Sequence, residues 1–252
     1  MANLHIPNTT LFSVCWGSEY LRCTLRSIIT SLKISTFDDI VLITDCDDED
    51  ILKYKDLTSN YGIRLIKRAM PLKENVDDDN SRQTFSEILL KLLNEFCSKD
   101  FIMVIQPDSS IISSEKWTDR FFDYDYIGAP WPIEIVKSTD MAHNRISNIP
   151  NLVGNGGFSI RSKKYVNLSL NMPVVHKNED LNLCIFNYDE MAANGIKFAP
   201  IDLASQFSIE HPIYGHKIYD RRFLLTYNSF AFHGEFNIAG MKYINQNSKE
   251  VI

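Results

Sequence analysis

Acidic side chains and a histidine stand at the ends of apolar stretches in this chain. Asp108 closes the segment Gln106-Pro107-Asp108 after an apolar run, Glu179 and Asp180 begin a helical pattern, and His233 follows a third apolar stretch. Carboxylates and imidazoles in such places are candidates for binding a divalent metal and for general acid–base chemistry. An aspartate placed directly after a buried strand costs free energy unless a cation meets it, so the sequence predicts a cationic partner for Asp108.

A glycine-rich segment, Gly154-Asn155-Gly156-Gly157, lies between the first two acidic sites. Glycines let the backbone approach a ligand closely and leave N–H groups for its oxygen atoms, so Asn155, Gly156 and Gly157 are candidate ligand-binding residues. The spacing differs from that of a P-loop or a dinucleotide-binding fingerprint, and the P-loop lysine is absent. The segment alone therefore does not identify its ligand.

Each of these motifs also has a structural explanation. Pro107-Asp108-Ser109-Ser110 is favourable turn chemistry, and the glycines suit a turn between two strands. Glu179 and Asp180 are stabilised at a helix start by the helix dipole. His233 beside a glycine is equally typical of a hydrogen-bonded structural histidine.

The first half of the chain alternates strand-like and helix-like segments. The predicted strands cover residues 11–16, 40–44, 63–66 and 101–105, and the predicted helices cover residues 21–32, 47–55 and 84–96. The clearest helix begins at the capping box Thr84-x-x-Glu87 and has an apolar stripe. Because parallel neighbours need a crossover between them, the alternation predicts an α/β fold with a mostly parallel central sheet flanked by helices.

In such sheets, ligands bind beyond the carboxyl ends of the strands, where Trp16, Asp45 and Asp108 are predicted to lie. The second half is less regular. A short strand within residues 124–131 precedes a long polar loop at 132–151, and loops of that length are usually functional or disordered. A helix follows from Glu179 to the stop signal at residues 194–195, and a last strand leads into His233.

Composition limits the classes of partner. The formal net charge of −6 is spread among mixed charges, which predicts no nucleic-acid partner. No window approaches the roughly 20 apolar residues of a membrane span, and no signal-peptide pattern is visible at the start. The five widely spaced cysteines predict reduced core thiols in a cytoplasmic protein.

Taken in order, the motifs resemble those of a family of uncharacterised GT-A-like glycosyltransferase domains. The resemblance is strong over about residues 100 to 235. It rests on Gln106-Pro107-Asp108, Tyr126–Trp131, Gly154–Ser162, Asn178-Glu179-Asp180, Phe198–Pro200, Ala204–Glu210 and Phe232-His233-Gly234. It implies one domain over residues 1–252, with a nucleotide-binding half at about 1–110 and an acceptor-binding and catalytic half at about 111–252.

The resemblance also implies a donor and a metal. Such domains bind a nucleoside diphosphate sugar at the carboxyl edge of the sheet, with Mn²⁺ or Mg²⁺ held by an Asp-x-Asp-type motif. Gln106 stands where the first aspartate of that motif would be, which leaves one carboxylate fewer than usual. The implied metal ligands are Asp108 and His233. The implied donor-binding residues are Trp16, Asp45, Gln106, Asp108, Asn155, Gly156 and Gly157.

The family is distantly allied to inverting galactosyltransferases, in which a glycine-rich segment precedes a Glu-Asp pair. By that resemblance Asp180 is the general base and Glu179 binds the acceptor, which is a glycan, a lipid-linked oligosaccharide or a protein. We expect the acceptor to meet the loop at residues 132–151. Metal-assisted transfer with inversion is the function that the resemblance implies.

Two other functions remain open from the sequence. One is a metal-dependent hydrolase or nucleotidyltransferase, in which Asp108, Asp180 and His233 bind the metal. The other is a non-catalytic carbohydrate-binding module, for which Tyr124, Tyr126 and Trp131 would form an exposed aromatic platform.

Overall fold

The computed structural model of the chain describes residues 3–69, 79–132, 149–211 and 228–234. Most of the loop expected to meet the acceptor therefore lies outside the described residues. Within them, the strands in chain order are β1 (Leu4–Cys15), β2 (Ser35–Thr44), β3 (Arg64–Lys67), β4 (Phe101–Ile105), β5 (Ser109–Ile111), β6 (Tyr126–Gly128), β7 (Phe158–Ser162), β8 (Ser208–Ile209) and β9 (Ala231–His233).

Two sheets contain these strands. The main sheet has the order β3-β2-β1-β4-β7-β6, and the small sheet has the order β5-β9-β8. In the main sheet β1 to β4 are mutually parallel, and β7 runs antiparallel to both β4 and β6. The predicted α/β fold with a mostly parallel central sheet is confirmed.

Helices connect and cover the main sheet. In chain order they are α1 (Gly17–Leu32), α2 (Asp48–Lys53), α3 (Lys55–Asn60), α4 (Asp79–Phe96), α5 (Lys163–Ser169), α6 (Glu179–Leu181), α7 (Tyr188–Ala193) and α8 (Ile201–Phe207). A π-helical turn, Asn182–Phe186, lies between α6 and α7. Short 3₁₀ turns occupy Ser114–Lys116 and Asp119–Asp123.

Strand β1 is longer than predicted. It begins at Leu4, where Leu4 to Ile6 pair with the start of β2 in parallel register. The register shifts before Thr10, and Asn8 within the shifted stretch has a φ of 51°. The polar residues at the start of β1 do not show the apolar pattern from which a strand is predicted. Backbone pairing with the neighbouring strand, and not an apolar face, holds them in the sheet.

Helix α4 also begins earlier than predicted. The capping-box prediction at Thr84 is wrong, because the helix starts at Asp79 and Thr84 lies inside it. Glu87 accepts a hydrogen bond from the Gln83 side chain one turn away, at 3.1 Å, instead of closing a cap. The apolar stripe is confirmed, since its residues Leu89, Leu92 and Leu93 are buried.

The helix predicted from Glu179 to about residue 193 is interrupted. The backbone N–H of Asn187 donates to the Asn182 carbonyl five residues earlier, at 2.9 Å, and the Asn187 side-chain amide donates to the same oxygen. This pairing produces the π-helical turn, and Ala192 beyond it lies on the exposed side of α7. The predicted stop is confirmed by Gly195, with a φ of 75°.

The main core draws on both predicted halves of the chain, from Ile6 in β1 to Ala231 in β9. A smaller apolar cluster contains Ile149, Leu152, Leu181, Ile185 and Phe186. Trp131 packs against both clusters and so connects them. Four of the five cysteines are buried, and Cys23 is half-buried. Among the described residues, no helix has both the length and the apolar character that crossing a bilayer requires.

Candidate functional site

Residues that follow three parallel strands lie at one edge of the main sheet. Trp16 follows β1, Asp45 follows β2 and Gln106 follows β4. The half-buried Trp16 ring packs against Phe85, with ring centroids 4.9 Å apart, and Asp45 Oδ1 accepts the Gly17 N–H at the start of α1. Both side chains thus have structural contacts, and their predicted donor-binding roles stay predictions.

The segment after β4 is a turn, as its composition predicted. The Ser109 N–H donates to the Gln106 carbonyl at 3.0 Å, and Ser27 Oγ donates to the same oxygen at 3.0 Å. The Gln106 N–H donates to the Gly157 carbonyl at 2.9 Å. These bonds fix the backbone from which the half-exposed Asp108 side chain extends.

Four side chains, Gln106, Asp108, Glu210 and His233, meet beside this turn, and we call them the charged corner. Pairing of β5 with β9 brings His233 there, with Ser109 as its register partner. Its Nε2 lies 3.1 Å from Gln106 Oε1 and 3.2 Å from Asp108 Oδ1. Its Nδ1 lies 3.2 Å from Glu210 Oε1. The imidazole therefore has a carboxylate oxygen within 3.2 Å of each ring nitrogen.

The charged corner favours ionised side chains. Burial lowers the pKa of His233, but its hydrogen bonds to Asp108 and Glu210 outweigh burial and raise that pKa to about 10. Burial raises the pKa of Glu210, but hydrogen bonds from His211 and His233 outweigh it and lower that pKa to about 2. The corner is thus built around an imidazolium held by carboxylates.

The corner offers a small donor set for a metal ion. Among the described residues, no group of three or more His, Cys, Asp and Glu side chains is arranged to hold a metal. One carboxylate oxygen of Asp108, one amide oxygen of Gln106 and Nε2 of His233 nevertheless converge. These donors fit Mn²⁺, or Mg²⁺ less well, provided that Nε2 of His233 gives up its proton to the metal and that substrate phosphates and water complete the shell.

The glycine segment is packed against side chains of the protein. A Cβ atom added at three of its positions would overlap a neighbouring side chain, so each glycine makes room for one large group. The contacts pair Gly154 with Trp131, Gly156 with Glu179, and Gly157 with His233. The glycines therefore serve the close approach of these side chains and not only, as the sequence suggested, that of a ligand.

The N–H groups of this segment are also used internally. The Gly156 N–H donates to Asp180 Oδ2 at 3.0 Å, and the Gly157 N–H donates to Asn155 Oδ1 at 3.2 Å. Asn155 has a φ of 40°, in the left-handed region that asparagine tolerates. The predicted contacts of Asn155, Gly156 and Gly157 with a donor stay predictions, and they would require these N–H groups to be shared.

A buried ion pair, Arg161 with Glu179, lies behind the glycine segment. Arg161 in β7 is fully buried, and its Nη2 and Nη1 lie 2.7 Å and 3.1 Å from the two oxygens of Glu179. Nη2 also donates to the Gly156 carbonyl at 3.2 Å, and Nε donates to Ser159 Oγ at 3.1 Å. Burial raises the pKa of Glu179, and Arg161 opposes this rise.

Arg161 has no role in the sequence prediction beyond its place in a motif. The signal that could have identified it is a single arginine in the buried strand Phe158–Ser162. A charge at such a place needs a partner of opposite sign, and the nearest downstream carboxylates are Glu179 and Asp180.

The two carboxylates of the acidic pair differ in their surroundings. Glu179 is buried, and each of its two carboxylate oxygens accepts a hydrogen bond from Arg161. Asp180 is half-exposed, and its two oxygens accept the N–H groups of Gly156 and Leu181 at 3.0 Å and 2.7 Å. The structure thus favours Asp180 over Glu179 as the group that meets a substrate.

The aromatic platform expected of a carbohydrate-binding module is not formed as predicted. Tyr126 is fully buried, its hydroxyl donates to the Gly154 carbonyl at 2.5 Å, and its ring packs against Tyr165 with centroids 4.9 Å apart. Tyr124 and Trp131 are half-buried. Tyr126 was predicted to be exposed because an alternating pattern does not reveal which face of a strand is covered.

A family described as "Protein of unknown function (DUF5672)" matches residues 73–223, which is more than half of the chain. A search of curated proteins finds no significant match.

Several solved structures share the fold. A complex of the galactosyltransferase LgtC with donor and acceptor sugar analogs has a TM-score of 0.54 at 12% identity, and the alignment covers 97% of each chain. An active-site mutant of LgtC has a TM-score of 0.53 at 12% identity, covering 89% of this chain and 86% of that one. Mouse xyloside xylosyltransferase 1 has a TM-score of 0.50 at 10% identity, covering 91% and 98%. The chain therefore has a GT-A glycosyltransferase fold.

Proposed function

The chain belongs to the DUF5672 family, and we propose that it is a glycosyltransferase that moves a sugar from a nucleoside diphosphate sugar to a glycan, lipid-linked or protein acceptor. One observation carries the proposal. The adjacent residues Gly156 and Gly157 touch Asp180 on one side and His233 on the other. Asp180, the candidate base, and the charged corner, the candidate diphosphate site, therefore contact neighbouring residues of the glycine segment.

Sugar transfer needs two kinds of group close together. The leaving diphosphate develops negative charge, which cationic groups stabilise, and the acceptor hydroxyl must lose a proton, which a carboxylate can accept. The charged corner would supply the first function through a metal ion held by Asp108 and His233, and Asp180 supplies the second. The GT-A fold supports this arrangement, because ligands of open α/β sheets bind at the carboxyl edge of the strands.

Asp180 is the proposed general base. It removes the proton of the acceptor hydroxyl as that oxygen attacks the anomeric carbon, and the diphosphate leaves on the opposite side, so the configuration inverts. The N–H groups of Gly156 and Leu181 hold the carboxylate in one orientation, which spares reorganisation during the reaction. Glu179 has a positioning role, because with Arg161 it fixes the Gly156 peptide.

The proposed metal is Mn²⁺ or Mg²⁺, held by Asp108 and His233 with the Gln106 amide oxygen beside them. When bound, it would neutralise charge on the leaving diphosphate. Asp108 and Gln106 orient the diphosphate end of the donor at the carboxyl edge of β4. Trp16 would stack on the base, and Asp45 would accept a hydrogen bond from the base or ribose.

A binding experiment tests the donor class. Calorimetry and thermal shift with nucleoside diphosphates and their sugars, with and without Mn²⁺, should give a metal-dependent rise in melting temperature. Asp108→Ala should weaken this binding at least about tenfold, a loss of about 1.4 kcal/mol. Asp202→Asn, an exposed change in α8, should bind like the wild type. Absence of binding to any nucleotide, or full binding by Asp108→Ala, would contradict the assignment.

Turnover of the donor that binds tests the role of Asp180. Asp180→Asn should slow release of the nucleoside diphosphate by about 10² to 10⁴-fold while donor affinity stays within about twofold. Asp189→Asn, an exposed change in α7, is the matched control and should keep wild-type turnover.

The anomeric configuration of the product, read by NMR, gives an independent check of the mechanism. Inversion supports direct displacement with Asp180 as base. Retention would remove Asp180 from that role and leave the glycosyltransferase proposal in place.

A further inference from the structure

Glu210 stands beside His233 because of the small sheet. Strands β8 and β9 are parallel, with Ser208 opposite Ala231 and Ile209 opposite Phe232. The same register continued by one residue places Glu210 next to His233, and Glu210 Oε1 lies 3.2 Å from His233 Nδ1. Glu210 was part of a sequence motif, but the proposed function gives it no role.

The imidazole of His233 is held from three directions. Nδ1 faces Glu210, Nε2 faces Asp108 and Gln106, and the ring packs directly against Gly157. A side chain that is held in this way has one orientation available to it. Only one of its nitrogens, Nε2, faces the carboxyl edge of β4.

The carboxylate of Glu210 is itself held on its far side. Its Oε2 lies 3.3 Å from His211 Nε2, so the chain of contacts runs from His211 through Glu210 to His233. Glu210 is largely buried, with 19% of its side chain exposed. Burying a carboxylate is costly unless it is paired, and an amide or apolar side chain would fill the space at less cost if packing were its only task.

We propose that Glu210 is a positioning residue that accepts the Nδ1–H of His233 and so keeps Nε2 directed at the site of the metal and diphosphate. This inference rests on the proposed function. Histidines that bind metals usually donate the other ring N–H to a carboxylate, carbonyl or water, which fixes the tautomer and makes the ligating nitrogen more basic. Glu210 would thus raise the affinity of Asp108 and His233 for a divalent cation.

A titration of Mn²⁺ followed by electron paramagnetic resonance tests this role in the full chain. The probes are Mn²⁺ alone and Mn²⁺ with inorganic pyrophosphate, which imitates the diphosphate without requiring a known nucleoside. Glu210→Ala should weaken Mn²⁺ binding by about 10- to 100-fold. Glu210→Gln should lose less, because its amide oxygen can still accept the Nδ1–H. Asp202→Asn should leave the affinity unchanged.

A second measurement does not depend on any metal. Nitrogen-15 NMR of the metal-free protein should show a hydrogen-bonded Nδ1–H on His233, and this signal should change in Glu210→Ala and persist in Glu210→Gln. A signal that is the same in Glu210→Ala and the wild type would overturn the proposal, as would equal Mn²⁺ affinity of these two proteins.

Different results would overturn the role of Glu210 and the proposed function. If the wild type binds Mn²⁺ and His233→Ala does not, but Glu210→Ala binds normally, only the role of Glu210 is overturned. If the wild type binds no Mn²⁺ with pyrophosphate or with any nucleotide, the metal-binding part of the proposed function is overturned. The role of Glu210 is then overturned as well. Nucleotide binding without metal would in that case still support a donor site.

Discussion

The buried ion pair and the charged corner touch the glycine segment from opposite sides, and they differ in how completely the protein satisfies them. Arg161 is fully buried and has partners for its charge in Glu179, Gly156 and Ser159. In the charged corner, Asp108 and His233 keep 25% and 14% of their side chains exposed, and their polar atoms converge beside solvent.

This difference in exposure predicts different effects when one charged partner is removed. A buried pair gains its attraction only against a large desolvation cost, so removing one partner leaves an expensive isolated charge. Partly exposed charges lose less when a partner is removed, because water can take its place. We therefore expect the buried ion pair to control stability and the charged corner to control ligand binding.

The largest effect on stability is expected for Arg161→Met. The substitution leaves Glu179 buried without its cation, and we expect the free energy of unfolding to fall by about 3–5 kcal/mol. Chemical denaturation measures this loss. The double variant Arg161→Met, Glu179→Leu is the control, and it should recover most of the stability because no unpaired charge remains.

A loss below about 1 kcal/mol in Arg161→Met would show that solvent reaches Glu179 and would weaken the comparison. Equal losses in the single and double variants would show that packing of the arginine, and not its charge, is the stabilising part.

An intermediate effect is expected for Gly157→Ala. The added methyl group overlaps the imidazole of His233, so we expect a loss of about 1–3 kcal/mol together with weaker Mn²⁺ and nucleotide binding. Adding His233→Ala should relieve the overlap, so the double variant should be as stable as His233→Ala alone, and it should not recover binding. A double-mutant cycle on both readouts measures this, and additive effects on stability would mean that the two residues do not touch.

A smaller effect is expected for Tyr126→Phe. The substitution removes the hydroxyl that donates to the Gly154 carbonyl and leaves that buried oxygen without this donor, at a cost of about 1–1.5 kcal/mol. Thermal unfolding should show the loss while nucleotide binding stays unchanged. Weaker nucleotide binding would place Tyr126 nearer to the donor than the buried position of its ring implies.

The smallest effect on stability is expected for Asp108→Asn, within about 1 kcal/mol of the wild type, because the carboxylate is partly exposed. By contrast, the effect of Asp108→Asn on ligand binding should be large, with at least about tenfold weaker Mn²⁺ binding. Denaturation and Mn²⁺ titration of the same sample separate the two. A large loss of stability with normal Mn²⁺ binding would assign Asp108 to structure.

Local pattern alone was sufficient for the parallel part of the sheet and for the expectation that Asp108 meets a cationic partner. The alternation of apolar strands and amphipathic helices in the first half predicts a parallel sheet, and parallel strands bring their carboxyl ends to one edge. Asp108 was identified because a carboxylate directly after a buried strand needs a partner. The stripe of α4 was predicted, whereas its start at Asp79 was not, because the capping signal at Thr84 was misleading.

The tertiary structure decided which charges are fully buried in an ion pair and which stay partly exposed. Gln106 and His233 are 127 residues apart, and only the pairing of β5 with β9 brings them within 3.1 Å. The sequence by itself determined that Glu179 and Asp180 are adjacent carboxylates, but burial against Arg161 made one of them part of an ion pair and left the other accessible. Local sequence sets residue type and periodicity, whereas burial and long-range pairing set what each polar group contacts.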